Sequence, residues 1–224
     1  MKASIEPNQL RLRHSTEQTP VWLRRFTKVV AAATLFLIFA GAMVTSTGSG
    51  LAVPDWPNTY GTFMFSFPMS KWVGGIFYEH GHRLIASTVG FLVVLQAIWL
   101  QMREPKKFVR ILGWLSLLAV IVQGVLGGVT VLLLLPKAVS ISHAALAEIF
   151  FCINVSIAFF TSRWYQSLQT VEKGDAPVGM AWTLTGIVYL QILAGAVLRH
   201  LGAGLAIPDF PLSFGRVIPE FVST

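Results

Sequence analysis

The sequence predicts an all-α polytopic membrane protein: one four-helix transmembrane bundle, followed by the first helix of a second, repeated bundle. Three observations predict it. Of the 224 residues, 54% are hydrophobic and only 12% are charged. A soluble domain carries about 25% charged residues, so this chain cannot cover a water-facing surface. The apolar residues fall in long continuous runs rather than alternating, which favours helices over strands. In lipid, helices or a closed barrel are the structures that satisfy every backbone polar group internally. Third, a 21-residue segment recurs late in the chain, as described below.

A span needs about 20 mostly apolar residues, and five segments qualify. They run approximately over Phe26–Ser46, Glu79–Met102, Phe108–Leu135, Val139–Ser162 and Val178–Arg199. The third is long enough to tilt. Residues 1–25 are polar, mixed in charge and contain Pro7 and Pro20, so they predict a cytoplasmic tail. They lack the apolar core of a signal peptide. Residues 26–162 are expected to form the first bundle, and residues 163–224 the incomplete start of the second.

The net charge of +7 and the pI near 9.9 would suggest nucleic acid in a soluble protein. Here the basic residues cluster between apolar runs, and no nucleic-acid partner is expected. Arg11, Arg13, Arg24, Arg25 and Lys28 lie around the first span's start, and Arg103, Lys106, Lys107 and Arg110 around the second connection. The fourth connection has Arg163 and Lys173, whereas the first and third have only Lys71 and Lys137. The positive-inside rule then places the amino terminus in the cytoplasm and the carboxyl terminus outside. The single cysteine, Cys152, permits no intrachain disulfide. The first outer connection, from Thr47 to Tyr78, is rich in Gly, Pro and aromatics. This predicts an ordered interfacial loop able to cover a site in the outer half of the bundle.

GAMVTSTGSGLAVPDWPNTYG begins at Gly41 and GAVLRHLGAGLAIPDFPLSFG at Gly195, a gapless alignment at an offset of 154 residues with 10 of 21 positions identical. The first and fifth helices, each with its following loop, are therefore expected to be copies in the same orientation. Parallel repeats pack about an axis along the membrane normal. Two four-helix bundles are the implied whole, and this chain stops inside the second copy's loop. It is expected to be either a fragment or a short form with one complete bundle.

Ionisable residues at membrane depth are costly and mark function by default. Glu79, His82 and Arg83 sit at i, i+3 and i+4, on one face of the second helix, with His80 on a different side. His143 lies near the same end of the fourth helix, at a depth similar to His82. Two such histidines can supply both axial ligands of a haem, or can simply bond backbone near helix ends. Arg83 can pair with a haem propionate, with Glu79 or with lipid phosphate. Glu79 can act in proton transfer or cap its helix. The glycines of QGVLGGVTV, from Gln123, are read as packing.

With these residues in place, the sequence resembles the haem A synthase family of cytochrome oxidase assembly proteins. The resemblance rests on GxGLAxPDWP at Gly48–Pro57, ExxHR at Glu79–Arg83, QGxLGGxTV at Gln123–Val131 followed by His143, and RHLGAGLAIPDFP at Arg199–Pro211. It implies an eight-helix fold and conversion of haem O to haem A by oxidising a ring methyl to a formyl group. It further implies His82 and His143 as ligands of the substrate haem iron, with Arg83 beside that haem and Glu79 as the catalytic acid near the reacting edge. A haem b site is expected in the second bundle. The expected partners are haem O, the lipid bilayer, an electron donor, and haem O synthase or cytochrome oxidase subunits. The expected place is a bacterial plasma membrane. Many members have a loop cysteine pair; Val53 and Thr59 stand near those places here, and Ile207 and Ser213 in the second copy. A di-histidine b-type electron-transfer cytochrome is the alternative reading.

Overall fold

The computed structural model describes residues 19–168, 177–204, 206–207, 209 and 212–217. The expected tail up to residue 18, Lys173, and Pro208, Phe210 and Pro211 of the repeat lie outside the described residues. Among the described residues there are five long helices: α1 (Val21–Ser46), α2 (Gly75–Arg103), α3 (Lys107–Leu132), α4 (Lys137–Phe160) and α5 (Val178–His200). A short helical segment, Arg163–Leu168, follows α4. Each long helix has 23–29 residues. At about 1.5 Å per residue, these helices exceed the ~30 Å hydrocarbon core. All five are long and apolar enough to cross a membrane, and the protein is an all-α integral membrane protein.

Three of the five helices begin directly after a proline: Pro20, Pro136 and Pro177. A proline there removes an N–H that the helix start would leave unpaired anyway. The third span stops at Leu132, three residues before the apolar run ends. Leu134 and Leu135 both have φ of 60°, and the Leu135 N–H turns back to Thr130 O at 2.7 Å. Pro136 follows, and proline disfavours helical backbone in the residue before it. Hydropathy alone cannot register that stop.

The chain divides into two compact units, Met1–Gly174 and Asp175–Thr224. In the first, α1 packs on α2, α2 on α3, α3 on α4, and α4 back on α1. This closed order, with short connections between α2 and α3 and between α3 and α4 and a longer one between α1 and α2, makes an up-down-up-down bundle. Its interior has two apolar layers. Val30, Val89, Val93, Ala119 and Phe150 form one. Leu23, Leu100, Val109 and Ile157 form the other. Three fully buried polar residues cross the interior. Gln96 Nε2 donates to Asn154 Oδ1 at 2.8 Å, and Ser116 Oγ donates to the same oxygen at 3.1 Å. This bonding joins α2, α3 and α4 and replaces the water that lipid cannot provide. Phe36, Phe91 and Leu118 point outward and are more than half exposed, as lipid-facing residues should be.

The two copies of the repeated segment have the same internal geometry. Asp55 accepts hydrogen bonds from the N–H of Tyr60 (2.8 Å) and Gly61 (2.7 Å). Asp209 accepts from Phe214 (2.8 Å) and Gly215 (2.7 Å). Gly48 and Gly202 both turn the chain with φ near 65° at the ends of α1 and α5. An aspartate that closes its own turn in this way depends on local sequence alone, so two separated copies fold alike.

Candidate functional site

The loop between α1 and α2 is organised by Asp55. Partial burial of its carboxyl works against ionisation, but the N–H groups of Gly61 and Tyr60 outweigh this and hold it below the ordinary carboxylate value. Its contribution to loop order is therefore fully present above that ordinary value and is lost as pH falls through the lowered one. The Tyr60 hydroxyl closes the turn on Ala52 O at 2.5 Å.

From the bundle side, α2 supplies the anchors. Glu79 Oε2 accepts from the Val53 N–H at 2.8 Å. The Arg83 guanidinium donates to Val53 O (2.9 Å), Asp55 O (2.6 Å) and Asn58 O (3.0 Å). It also donates to Glu79 Oε1 at 2.5 Å. The Glu79 and Arg83 side chains are only 4% and 10% exposed. Both terminal nitrogens of Arg83 are thus committed to the loop and to Glu79. Of the partners open to Arg83 from sequence, Glu79 is the one it has here. A propionate would have to displace one of these bonds or take the remaining Nε–H. Glu79 likewise has both oxygens engaged.

His80, given no role from sequence, is fully buried beneath the loop. Its Nδ1 lies 3.0 Å from Thr59 Oγ1, and its ring packs between Phe67 and Trp72, with centroids at 5.1 and 4.7 Å. Trp56 reaches across to α3 and lies on Gly128. A Cβ at Gly128 would sit 2.5 Å from Trp56 Cδ2, closer than real Cβ contacts. The glycine read as helix packing is therefore a seat for a loop side chain. Gly128→Ala is expected to lift Trp56 and destabilise the protein by about 1–3 kcal/mol, the usual cost of overpacking. Thermal unfolding in detergent checks this. Adding Trp56→Ala to Gly128→Ala should recover most of the loss, and no recovery would break the pairing.

Below the loop lie the two predicted histidines. His82 stands in the second turn of α2 and His143 in the second turn of α4, and both helices start at the loop end of the bundle. Glycines on the intervening helices let both rings lie close against the neighbouring backbone. A Cβ at Gly41 of α1 would meet His82 Nε2 at 3.1 Å, and one at Gly127 of α3 would meet His143 Cε1 at 3.4 Å. His143 Nδ1 is buried and makes no hydrogen bond of good geometry, with the Gln123 backbone carbonyl as an acceptor close to the ring. Buried polar nitrogens are normally paired. Two imidazoles on facing helices, an unsatisfied ring nitrogen and a layer kept free of Cβ atoms fit a ligand that takes imidazole nitrogen. A haem is such a ligand. Among the described residues no cluster of three or more His, Cys, Asp or Glu side chains could hold a bare metal ion.

Of the four predicted site residues, the bundle sets His82 and His143 at one depth. Glu79 lies one turn nearer the loop, and Arg83, next to His82 in the chain, extends its guanidinium up to the loop; together they latch it. Sequence reasoning assigned nothing to Asp55, Trp56 or His80. A signal existed for Asp55: it and the glycine six residues on recur in both copies of the repeat.

Comparison with known proteins identifies the family. The chain is similar to the Heme A synthase of Symbiobacterium thermophilum, 29% identical over 205 residues, covering 88% of this chain and 65% of that protein. The Heme A synthase of Shouchella clausii is 29% identical over 206 residues, with coverage of 88% and 66%. That of Bacillus cereus is 30% identical over 210 residues, with coverage of 88% and 65%. The chain thus spans about 65% of the length of these curated relatives. No solved structure matches it. The family model described as cytochrome oxidase assembly protein matches residues 64–224. That stretch is more than half of the chain and contains Glu79, His82, Arg83 and His143, so the chain belongs to the COX15-CtaA family of cytochrome oxidase assembly proteins.

Proposed function

We propose that this chain binds a haem between His82 and His143 and serves the conversion of haem O to haem A. The observation that carries the reading is the pair of imidazoles in the second turns of α2 and α4, flanked by Gly41 and Gly127. The names of the relatives support the reaction. When bound, the haem iron supplies the oxidative chemistry at a ring methyl. The chain's own residues bind and enclose. His82 and His143 hold the iron from two helices. The apolar layer of Val30, Val89 and Phe150 closes the site on one side, and the loop, latched by Glu79 and Arg83, closes it on the other. Arg83 acts on the haem through this loop. Glu79, one turn before His82, is the acid placed to move a proton there, in addition to bonding Val53.

Residues 26–162 form the substrate-haem bundle in this reading, and residues 163–224 begin a second one that holds a haem b in the whole protein. Haem O synthase and cytochrome oxidase subunits are its natural neighbours, in a bacterial plasma membrane. The test is chromatography of haems O and A from cells lacking their own haem A synthase and supplied with the whole protein. Haem A should appear, and accumulation of haem O alone would remove the reading. The Arg/Lys asymmetry supports a loop end that faces outside. A reporter fused after Thr224 should be active only outside the cytoplasm, and cytoplasmic activity would reverse the topology.

A further inference from the structure

Seven buried side-chain atoms lack a hydrogen-bond partner among the described residues, and three of them surround one residue: His143 Nδ1, Ser140 Oγ and Gln123 Oε1. Ser140 lies one turn before His143 on α4. Gln123 is on the neighbouring helix α3, and its amide Nε2 donates to the His143 backbone carbonyl at 3.0 Å. The side of the ring that faces α3 can be read directly. A Cβ at Gly127 would lie 3.4 Å from His143 Cε1 and 4.0 Å from Nδ1. Gly127 is one helical turn after Gln123, so both lie on the face of α3 turned to His143. The Nδ1 edge of the imidazole therefore looks at the helix that carries an unpaired carbonyl oxygen.

We propose that Gln123 is the positioning residue of this ligand: its Oε1 accepts the Nδ1–H of His143 and thereby aims Nε2 into the bundle. The inference rests on the haem reading of the preceding section. The chemistry requires such a partner. An imidazole that gives Nε2 to a metal carries its proton on Nδ1, and ligating histidines almost always donate that proton to a carboxylate, carbonyl or water. A buried N–H with no acceptor costs about 1–3 kcal/mol. Gln123 already lies beside His143, its amide bonded to His143 O. A turn of that amide about its last side-chain torsion, which is soft, exchanges this bond for one from the ring Nδ1–H to Oε1. Gln123 then holds the ring of His143 from α3. Accepting the Nδ1–H also makes the imidazole a stronger donor, which favours the oxidised iron and lowers its reduction potential.

The experiment uses the full chain in lipid nanodiscs, titrated with iron protoporphyrin IX. Gln123→Met keeps the side chain's length and removes either hydrogen bond. Gln123→Glu keeps an acceptor oxygen and adds charge. Gln123→Met should weaken haem binding about 10–100-fold, the usual effect of losing such a partner, and should raise the reduction potential. Gln123→Glu should leave the potential at or below that of the unaltered chain. A merely structural role would move both variants the same way, and that outcome, or no movement in either, overturns the proposal. His143→Ala is the separate control. If it leaves the visible spectrum and haem content unchanged, the ligand reading itself is wrong and this inference falls with it. If His143→Ala abolishes the low-spin spectrum while both Gln123 variants match the unaltered chain, only the role of Gln123 is lost.

Discussion

Replacing His82 or His143 with alanine should abolish the low-spin visible spectrum of the haem-loaded chain. Loss of a supporting hydrogen bond to a metal ligand already costs about 10–100-fold in affinity, and loss of the ligand should cost more. Each single variant should retain a weakened, high-spin haem held by the remaining imidazole. The double variant should retain none. The bundle should survive both changes. Neither residue belongs to the two buried apolar layers, and the helix faces against the rings carry the glycines Gly41 and Gly127. Size-exclusion elution and helical circular dichroism should therefore match the unaltered chain. Methionine, which can ligate iron through sulfur, should restore a six-coordinate spectrum at either position with a raised potential. An unchanged spectrum in both single variants would remove the two residues from the iron.

The second large effect is expected at the latch. Arg83→Leu leaves the Glu79 carboxylate buried with the Val53 N–H as its remaining partner, and frees the carbonyls of Val53, Asp55 and Asn58. Breaking a buried ion pair by removing one partner typically costs about 3–5 kcal/mol. Thermal unfolding should register that loss, and limited proteolysis should cut within residues 47–74. The double variant Glu79→Ala with Arg83→Leu should be more stable than Arg83→Leu alone, because no uncompensated charge remains. Glu79→Gln removes the titratable proton and also the ion pair, because its single acceptor oxygen can serve Val53 or Arg83 but not both. In the whole protein it should loosen the loop less than Arg83→Leu does, while haem A formation falls about 10²–10⁴-fold, the usual contribution of a general acid or base. Arg83→Leu measured beside it separates loss of the latch from loss of the proton. Normal haem A with Glu79→Gln would leave Glu79 as a latch residue alone.

The latch also explains the limits of the sequence reading. Arg83 was seen as a cation at membrane depth on the same face as Glu79, and that pairing is present. Its other three partners are backbone carbonyls 25–30 residues away. Every residue has a carbonyl, so nothing in the side-chain sequence marks those three. His80 was set aside because it faces away from His82 on the helix. The side it faces is covered by the folded loop, with Thr59, Phe67 and Trp72 against it. Gly128 was read as a helix-contact glycine, yet its neighbour is an indole from a loop more than 70 residues earlier in the chain.

What the sequence determined by itself was local or periodic. The five spans follow from run length and apolarity, which decide how a segment partitions into lipid regardless of its neighbours. The repeat and the Asp-closed turns follow from short-range bonding, which is why both copies adopt one geometry. The matched depth of His82 and His143 follows from helical rise and alternating direction, both fixed once the spans are known. Only the tertiary structure decided which groups meet between segments: the loop on Arg83, Trp56 on Gly128, Gln123 on His143. Those contacts depend on backbone acceptors, loop path and the absence of a Cβ, and none of these leaves a distinctive mark in a single sequence.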